Sequence, residues 1–311
     1  MDKKKPLTIV SLFSGCGGMD LGFLGGFEFL GKRYEKNPFE IIWANEINTA
    51  ACNTYRKNIG NHIIEGDIQQ KNNLLPEYAD AVIGGFPCQD ISINGKMEGL
   101  KGKRSCLYMS IVDAVKKLSP KIFIAENVKG LLLKSNKETI KTILNDFNSL
   151  GYNITYKLYD ASYYGVPQTR ERVFIVGTRS DIPNFIHPVP MCNNFITAKE
   201  AIGDLENIME NEEFNHIWSK AKKNTEQGNR KLIANRPGYT IRAECHGNIQ
   251  FHYKLSRRIS MREAARIQSF PDTFLFQAKL RETERQIGNA VPPVLAWHIA
   301  NSVQKTIMEK Y

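Results

Sequence analysis

The sequence predicts an α/β protein: an open, doubly wound sheet with helices on both faces, joined to a smaller and irregular second domain. Three observations carry this. Short apolar runs alternate with helical stripes through the first 180 residues. A glycine-rich turn links the first strand to the first helix, and regular periodicity fades after Arg179 and returns at Ser260.

In chain order, Leu7–Leu12 is a strand running into Phe13-Ser14-Gly15-Cys16-Gly17-Gly18 and a helix start at Met19–Phe23. Strand, glycine turn and helix form a nucleotide-type cradle, although Asp20 stands where a G-x-G-x-x-G loop has its third glycine. Ile41–Asn45 ends in Glu46, and His62–Gly66 ends in Asp67. In a Rossmann-like sheet such acids accept hydrogen bonds from ribose hydroxyls and an adenine amine; the alternative is that each caps a helix. The loop has no Lys or Arg for phosphates, which favours an adenosine with an uncharged tail, such as S-adenosylmethionine.

Ala81-Val82-Ile83 reads as a buried parallel strand, followed by a turn at Gly84-Gly85-Phe86-Pro87 with Cys88 at its tip. The thiol is either a reactive group at the end of a central strand or a small buried hydrophobe. Ser105–Leu118 carries a helical stripe, Lys121–Ala125 is a strand ending in Glu126-Asn127-Val128, and Ile140–Leu150 marks a helix stopped by Gly151. Strands at Asn153–Tyr159 and Arg172–Gly177 bring the total to about seven. Residues 181 to about 256 hold three prolines in ten residues and little periodicity. Ser260 and Glu263 form a capping box, and a final helix follows Pro292-Pro293.

The net charge of +10 suggests a polyanionic partner, nucleic acid first, against the alternative of a merely lysine-rich surface. Six cysteines without a C-x-x-C pair and six scattered histidines argue against a zinc cluster or a disulfide framework. No apolar run approaches the roughly 20 residues of a membrane span, and a cytoplasmic protein without metal is expected.

The ordered set Phe13–Gly18, Glu46, Asp67, Pro87-Cys88-Gln89, Glu126-Asn127-Val128, Gln168-x-Arg170-x-Arg172, Arg262–Pro271 and Gly288-Asn289-Ala290-Val291-Pro292 resembles the DNA (cytosine-5) methyltransferases of bacterial restriction–modification systems. The resemblance covers nearly the whole chain except residues 181–235. It implies an S-adenosylmethionine-dependent enzyme acting on double-stranded DNA as a monomer, paired in function with a restriction endonuclease but in no stable complex with it. Cys88 would attack C6 of a flipped cytosine, Glu126 would hold N3 and the 4-amino group, and Arg172 would contact O2. Arg170 would make a backbone or phosphate contact.

For the cofactor, the resemblance implies Phe13, Gly15, Gly17 and Gly18, with Glu46 on the ribose and Asp67 at the adenine amine. Ile47 and Ile68 would flank the ring, with Pro87 and Leu107 beside it and Asn289 and Ala290 at the methionine end. Gln89–Arg104, with Ser92, Asn94 and Lys96, is similar to the loop that closes over the flipped base, although Asn94 and Ala290 stand where relatives often carry hydroxyl residues. Pro237–Ala243 resembles the threonine-centred core of the target-recognition region. Thr240 and Arg242, with His246 and Asn248, are candidate DNA contacts; each candidate reader would touch a base edge, a phosphate or only the domain core. The expected division is catalytic domain 1–180 and 286–311, target-recognition domain 181–257, and bridging segment 258–285. The weighed alternatives are an RNA cytosine-5 methyltransferase, disfavoured by the absence of Cys-Phe-Thr, and a catalytically silent DNA-binding regulator.

Overall fold

The computed structural model describes residues 5–87, 107–191, 194–222, 229–244 and 249–308. The expected Cys88, Gln89, Ser92, Asn94, Lys96, His246 and Asn248 contacts lie outside the described residues.

Strand β1 (Leu7–Leu12) leads through the glycine turn into helix α1 (Gly18–Leu24). A hairpin of β2 (Phe27–Phe29) and β3 (Lys32–Tyr34) precedes β4 (Phe39–Glu46), α2 (Thr49–Asn58), β5 (Ile63–Glu65) and the short α3 (Ile68–Lys71). Then come β6 (Ala81–Gly85), α4 (Leu107–Leu118), β7 (Ile122–Val128), α5 (Lys137–Asn148), β8 (Tyr152–Asp160), β9 (Gln168–Thr169) and β10 (Glu171–Arg179). The remainder holds α6 (Ala198–Ile202), β11 (Gly238–Tyr239), α7 (Met261–Ile267), α8 (Leu280–Asn289) and α9 (Pro293–Met308).

The main sheet has seven strands in the order β5-β4-β1-β6-β7-β10-β8. All pairings are parallel except those of β10, which runs antiparallel to both β7 and β8. Successive residues of a strand point to opposite faces, so a strand covered on both sides is apolar throughout. In β1, Ile9 joins a core with Phe23, Tyr55 and Leu295, whereas Val10 joins a core with Val82, Val115 and Phe147. Helices α1 and α9 therefore cover one face, and α4 and α5 the other, as the doubly wound expectation required.

A third core lies beyond the sheet. It contains Ala198, Leu232, Ile241 and Ile249 together with Ala264, Phe270, Phe274 and Ile287. Regular structure is sparse along residues 181–257, where the described residues form α6, a short 3-10 turn at Gly203–Leu205 and β11. Backbone carbonyls around the third core are met by buried arginines. Arg258 donates to the carbonyls of Ala221, Lys222 and Ile249, and Arg262 donates to those of Phe214, Pro271 and Phe274. Guanidinium groups thus take the part that neighbouring strands play in a sheet, supplying donors to backbone that has no ladder.

Candidate active site

Strand order reverses around β1, with β4 and β5 on one side and β6, β7, β10 and β8 on the other. An open α/β sheet has its crevice at the carboxyl ends of the strands at such a switch point. A cavity of about 400 Å³ lies there. It is lined by Phe13, Gly15 and Gly18 after β1, Glu46 and Ile47 at β4, and Asp67 and Ile68 after β5. Pro87, Leu107, Glu126, Arg172, Asn289 and Ala290 complete the wall among the expected residues.

The glycine turn is shaped by backbone requirements. Gly17 has φ 95° at the start of α1, a left-handed conformation that glycine adopts without steric cost. A Cβ on Gly18 would lie 2.5 Å from the Val291 carbonyl oxygen, so the turn and the 288–291 stretch fit together only with glycine there. Phe13 itself has φ 54°, a strained value for an aromatic residue of the kind found at ligand sites.

Glu46 receives two backbone N–H groups, Gly15 at 3.0 Å on Oε2 and Asn48 at 2.8 Å on Oε1. Burial nevertheless raises its pKa above the ordinary glutamate value. Asp67 accepts from the Gln69 N–H at 3.0 Å and caps the four-residue α3, so the capping reading holds for it while it also lines the cavity. Ile68 is buried at 2% exposure, whereas Ile47 stands 68% exposed.

At the other end of the cavity, Glu126 and Arg172 form an ion pair of 3.0 Å between Nε and Oε1. The antiparallel register of β10 against β7 explains it, since Arg172 lies opposite Val128 and Phe174 opposite Glu126. Burial pushes the Glu126 carboxyl upward, and Arg172 and Arg170 oppose that shift without cancelling it. Asn127 donates from its side chain to the Phe86 carbonyl at 3.1 Å, tying the approach to Cys88 to the strand that carries Glu126.

Two expectations change. Gly84 and Gly85 belong to β6 and neither has a positive φ, so they form no turn. Their lack of a side chain serves close approach: a Cβ on Gly85 would lie 2.8 Å from Glu126 Oε2, and one on Gly84 2.8 Å from the Leu12 carbonyl oxygen. Arg170, grouped with the catalytic residues, does not line the cavity. It is 1% exposed and donates to the carbonyls of Ile241, Gly288 and Ala290, so its guanidinium is engaged within the protein. Thr240 donates to the Thr169 carbonyl at 2.6 Å, and Arg242 is exposed.

The cavity also has walls that motif reading missed. Glu282, Arg285 and Gln286 line it along with Asn289, a spacing of three, four and seven that places them on one face of α8. That polar periodicity was present in the sequence. Asp20 is fully buried beneath the glycine turn, accepting from Ser11 Oγ at 3.1 Å and Tyr55 OH at 2.9 Å, and burial raises its pKa to about 6.

The sequence matches the model of the C-5 cytosine-specific DNA methylase family over residues 7–236 and 193–305. It is 39% identical to the Type II methyltransferase M.NgoFVII of Neisseria gonorrhoeae, covering 97% of this chain and 88% of that one. It is 36% identical to M.FnuDI of Fusobacterium nucleatum, covering 98% and 96%. Among solved structures, a putative DNA modification methyltransferase encoded within an E. coli prophage superposes with a TM-score of 0.72 at 24% identity, over 96% of this chain and 99% of that one. The S. pombe Dnmt2 methyltransferase gives 0.70 at 16%, over 96% and 98%; at such identities these two speak to the fold alone. With the family model spanning the sheet, the cavity wall and α8, the chain belongs to the C-5 cytosine-specific DNA methylases and is a DNA (cytosine-5-)-methyltransferase of the restriction–modification type.

Proposed function

We propose that the protein methylates carbon 5 of a cytosine flipped out of a specific short duplex sequence, through a covalent bond between Cys88 and cytosine C6. The observation that carries this reading is the Glu126–Arg172 pair at the same cavity as the glycine turn and Glu46, a cavity that Pro87 also lines. The donor set fits S-adenosylmethionine. A volume of about 400 Å³ lies within the range of ligand pockets, Glu46 offers carboxylate oxygens to a ribose, and Ile68 offers an apolar surface to a ring. When bound, S-adenosylmethionine supplies an electrophilic methyl group on a sulfonium.

Cytosine C5 is a poor nucleophile until an electron pair is added at C6. The Cys88 thiolate forms a bond to C6, and the electron pair moves toward N3, where Glu126 supplies a proton. The raised pKa of Glu126 suits a carboxyl that must hold that proton near neutral pH. Arg172 neutralises charge at O2 and keeps the Glu126 carboxyl oriented. After C5 is methylated, a water removes the C5 proton, the bond from Cys88 to C6 breaks, and Glu126 recovers its proton from N3. Residues 181–257 select the sequence, with Thr240 and Arg242 at the DNA face, while 1–180 and 286–311 carry the chemistry and 258–285 bridges them. The product protects cytoplasmic DNA from a cognate endonuclease.

Bisulfite sequencing of DNA from cells expressing the protein, beside a methylation assay comparing duplex DNA with tRNA, tests this. Converted and unconverted cytosines identify the target; methyl transfer confined to tRNA sinks the reading.

A further inference from the structure

Arg170 is shut away from solvent between two parts of the molecule with different tasks. Its Nη1 donates to the Ile241 carbonyl at 3.0 Å, between Thr240 and Arg242. Its Nη2 donates to the carbonyls of Gly288 at 2.7 Å and Ala290 at 3.1 Å, residues that line the cavity. Two glutamines repeat the link. Gln168 accepts from the Ile241 N–H at 3.0 Å and donates to Gln268 Oε1 at 2.5 Å, and Gln268 donates to the Ala290 carbonyl at 2.6 Å.

The two segments are also in direct contact. A Cβ on Gly288 would fall 2.4 Å from the Ala243 nitrogen and 2.5 Å from the Arg242 carbonyl carbon, both backbone atoms. Tightly packed interiors transmit displacement because there is no void to absorb it. A shift of the 240–243 backbone therefore moves the 288–290 wall, and the planar guanidinium sets how the two move together.

We propose that Arg170 is a positioning residue that couples engagement of DNA by the Thr240–Arg242 segment to the hold of the 288–290 wall on the cofactor. The inference rests on the function proposed above. Lysine at this position keeps the charge but cannot reach carbonyls on two separate backbone segments with one fixed fork.

The test measures the Kd of S-adenosylhomocysteine calorimetrically, without and with a duplex carrying the target found by bisulfite sequencing. It uses the wild type, Arg170→Lys and Gln268→Met. In the wild type the duplex tightens binding by about tenfold, a usual size for coupling between two sites. In Arg170→Lys the gain falls below about twofold while Kd without DNA stays within about threefold of wild type. A purely structural role would weaken both measurements together and leave their ratio intact. An undiminished ratio in Arg170→Lys, or no gain in the wild type, overturns the proposal. Should the lysine variant fail to fold, Gln268→Met, which loosens the same Ala290 carbonyl, carries the test with the same two outcomes. A wild type that does not methylate duplex DNA sinks the proposed function instead, whereas an active enzyme with an unchanged ratio sinks only the coupling.

Discussion

Replacing Glu126 with glutamine separates the chemistry of this carboxyl from its place in the fold. The residue is 8% exposed and its carboxylate sits 3.0 Å from the Arg172 guanidinium. At an effective dielectric of about 20 that attraction amounts to about 5 kcal/mol, yet the carboxyl pKa is still raised, so burial costs the ion more than its partners return. A group with a raised folded-state pKa contributes stability that is fully present below its unfolded pKa and lost as pH rises through the folded value. Glutamine resembles the protonated form. Glu126→Gln is therefore expected to melt at or above the wild-type temperature at pH 8, with the difference shrinking as pH falls toward the ordinary glutamate range. Catalysis should move the other way. Loss of a positioned proton donor slows the chemical step about 100- to 10,000-fold, or roughly 3–5 kcal/mol in the barrier. Single-turnover transfer of a labelled methyl group to duplex DNA and calorimetric melting across pH provide the two readouts. Transfer within about threefold of wild type at pH 7.5, or a lower melting temperature at pH 8, would refute the reasoning.

Cys88→Ser should abolish methyl transfer while calorimetry still records S-adenosylhomocysteine binding; unimpaired turnover would overturn the nucleophile assignment. The raised pKa of Glu46 means that lowering the pH protonates the acceptor proposed for the ribose, so cofactor affinity should fall on acidification from above the ordinary glutamate range, and Glu46→Gln should flatten that dependence. Gly22→Ala places a Cβ 2.4 Å from the Ala296 Cβ and 2.5 Å from the Pro293 carbonyl oxygen, forcing α1 from α9. A loss of about 1–3 kcal/mol is expected in denaturant unfolding, and an unchanged midpoint would contradict the packing. Arg262→Met leaves two buried carbonyls and one half-buried carbonyl without their donor and should cost about 2–6 kcal/mol by the same measurement.

The sheet could be read from the chain because its strands are apolar on both faces and are punctuated by glycine and acids at their carboxyl ends. The hairpin of β2 and β3 could not. Its turn uses Leu30 and Gly31, with φ 47° and 72°, and a leucine gives none of the Asn-Gly signal such turns usually carry. The Thr197–Glu200 capping box of α6 was present as letters but lacked an apolar run long enough to draw notice. Around α7 the difficulty was different. All seven of its residues are buried, including Arg262, Glu263 and Arg266, so a charged string conceals a core helix. Arg266 meets Asp204 and Asp272, and Glu263 meets Arg257, partners 6 to 62 positions away that no local window joins. At the site, the residues that bear chemical groups stood out by type, while Gly85 and Gly288 disclosed their purpose only through what would collide with a methyl group.

Helix α9 seals the face of the sheet opened by α1, and α8 supplies one wall of a cavity whose floor begins at β1. The earliest and the last-made parts of this fold are thus immediate neighbours. At a synthesis rate of about 5–20 residues per second, Ile9 emerges roughly 15–60 s before the helix that buries it. During that interval the part of this apolar face that α9 covers stays open beside α1, which makes it a place where a chaperone would be expected to bind the nascent chain.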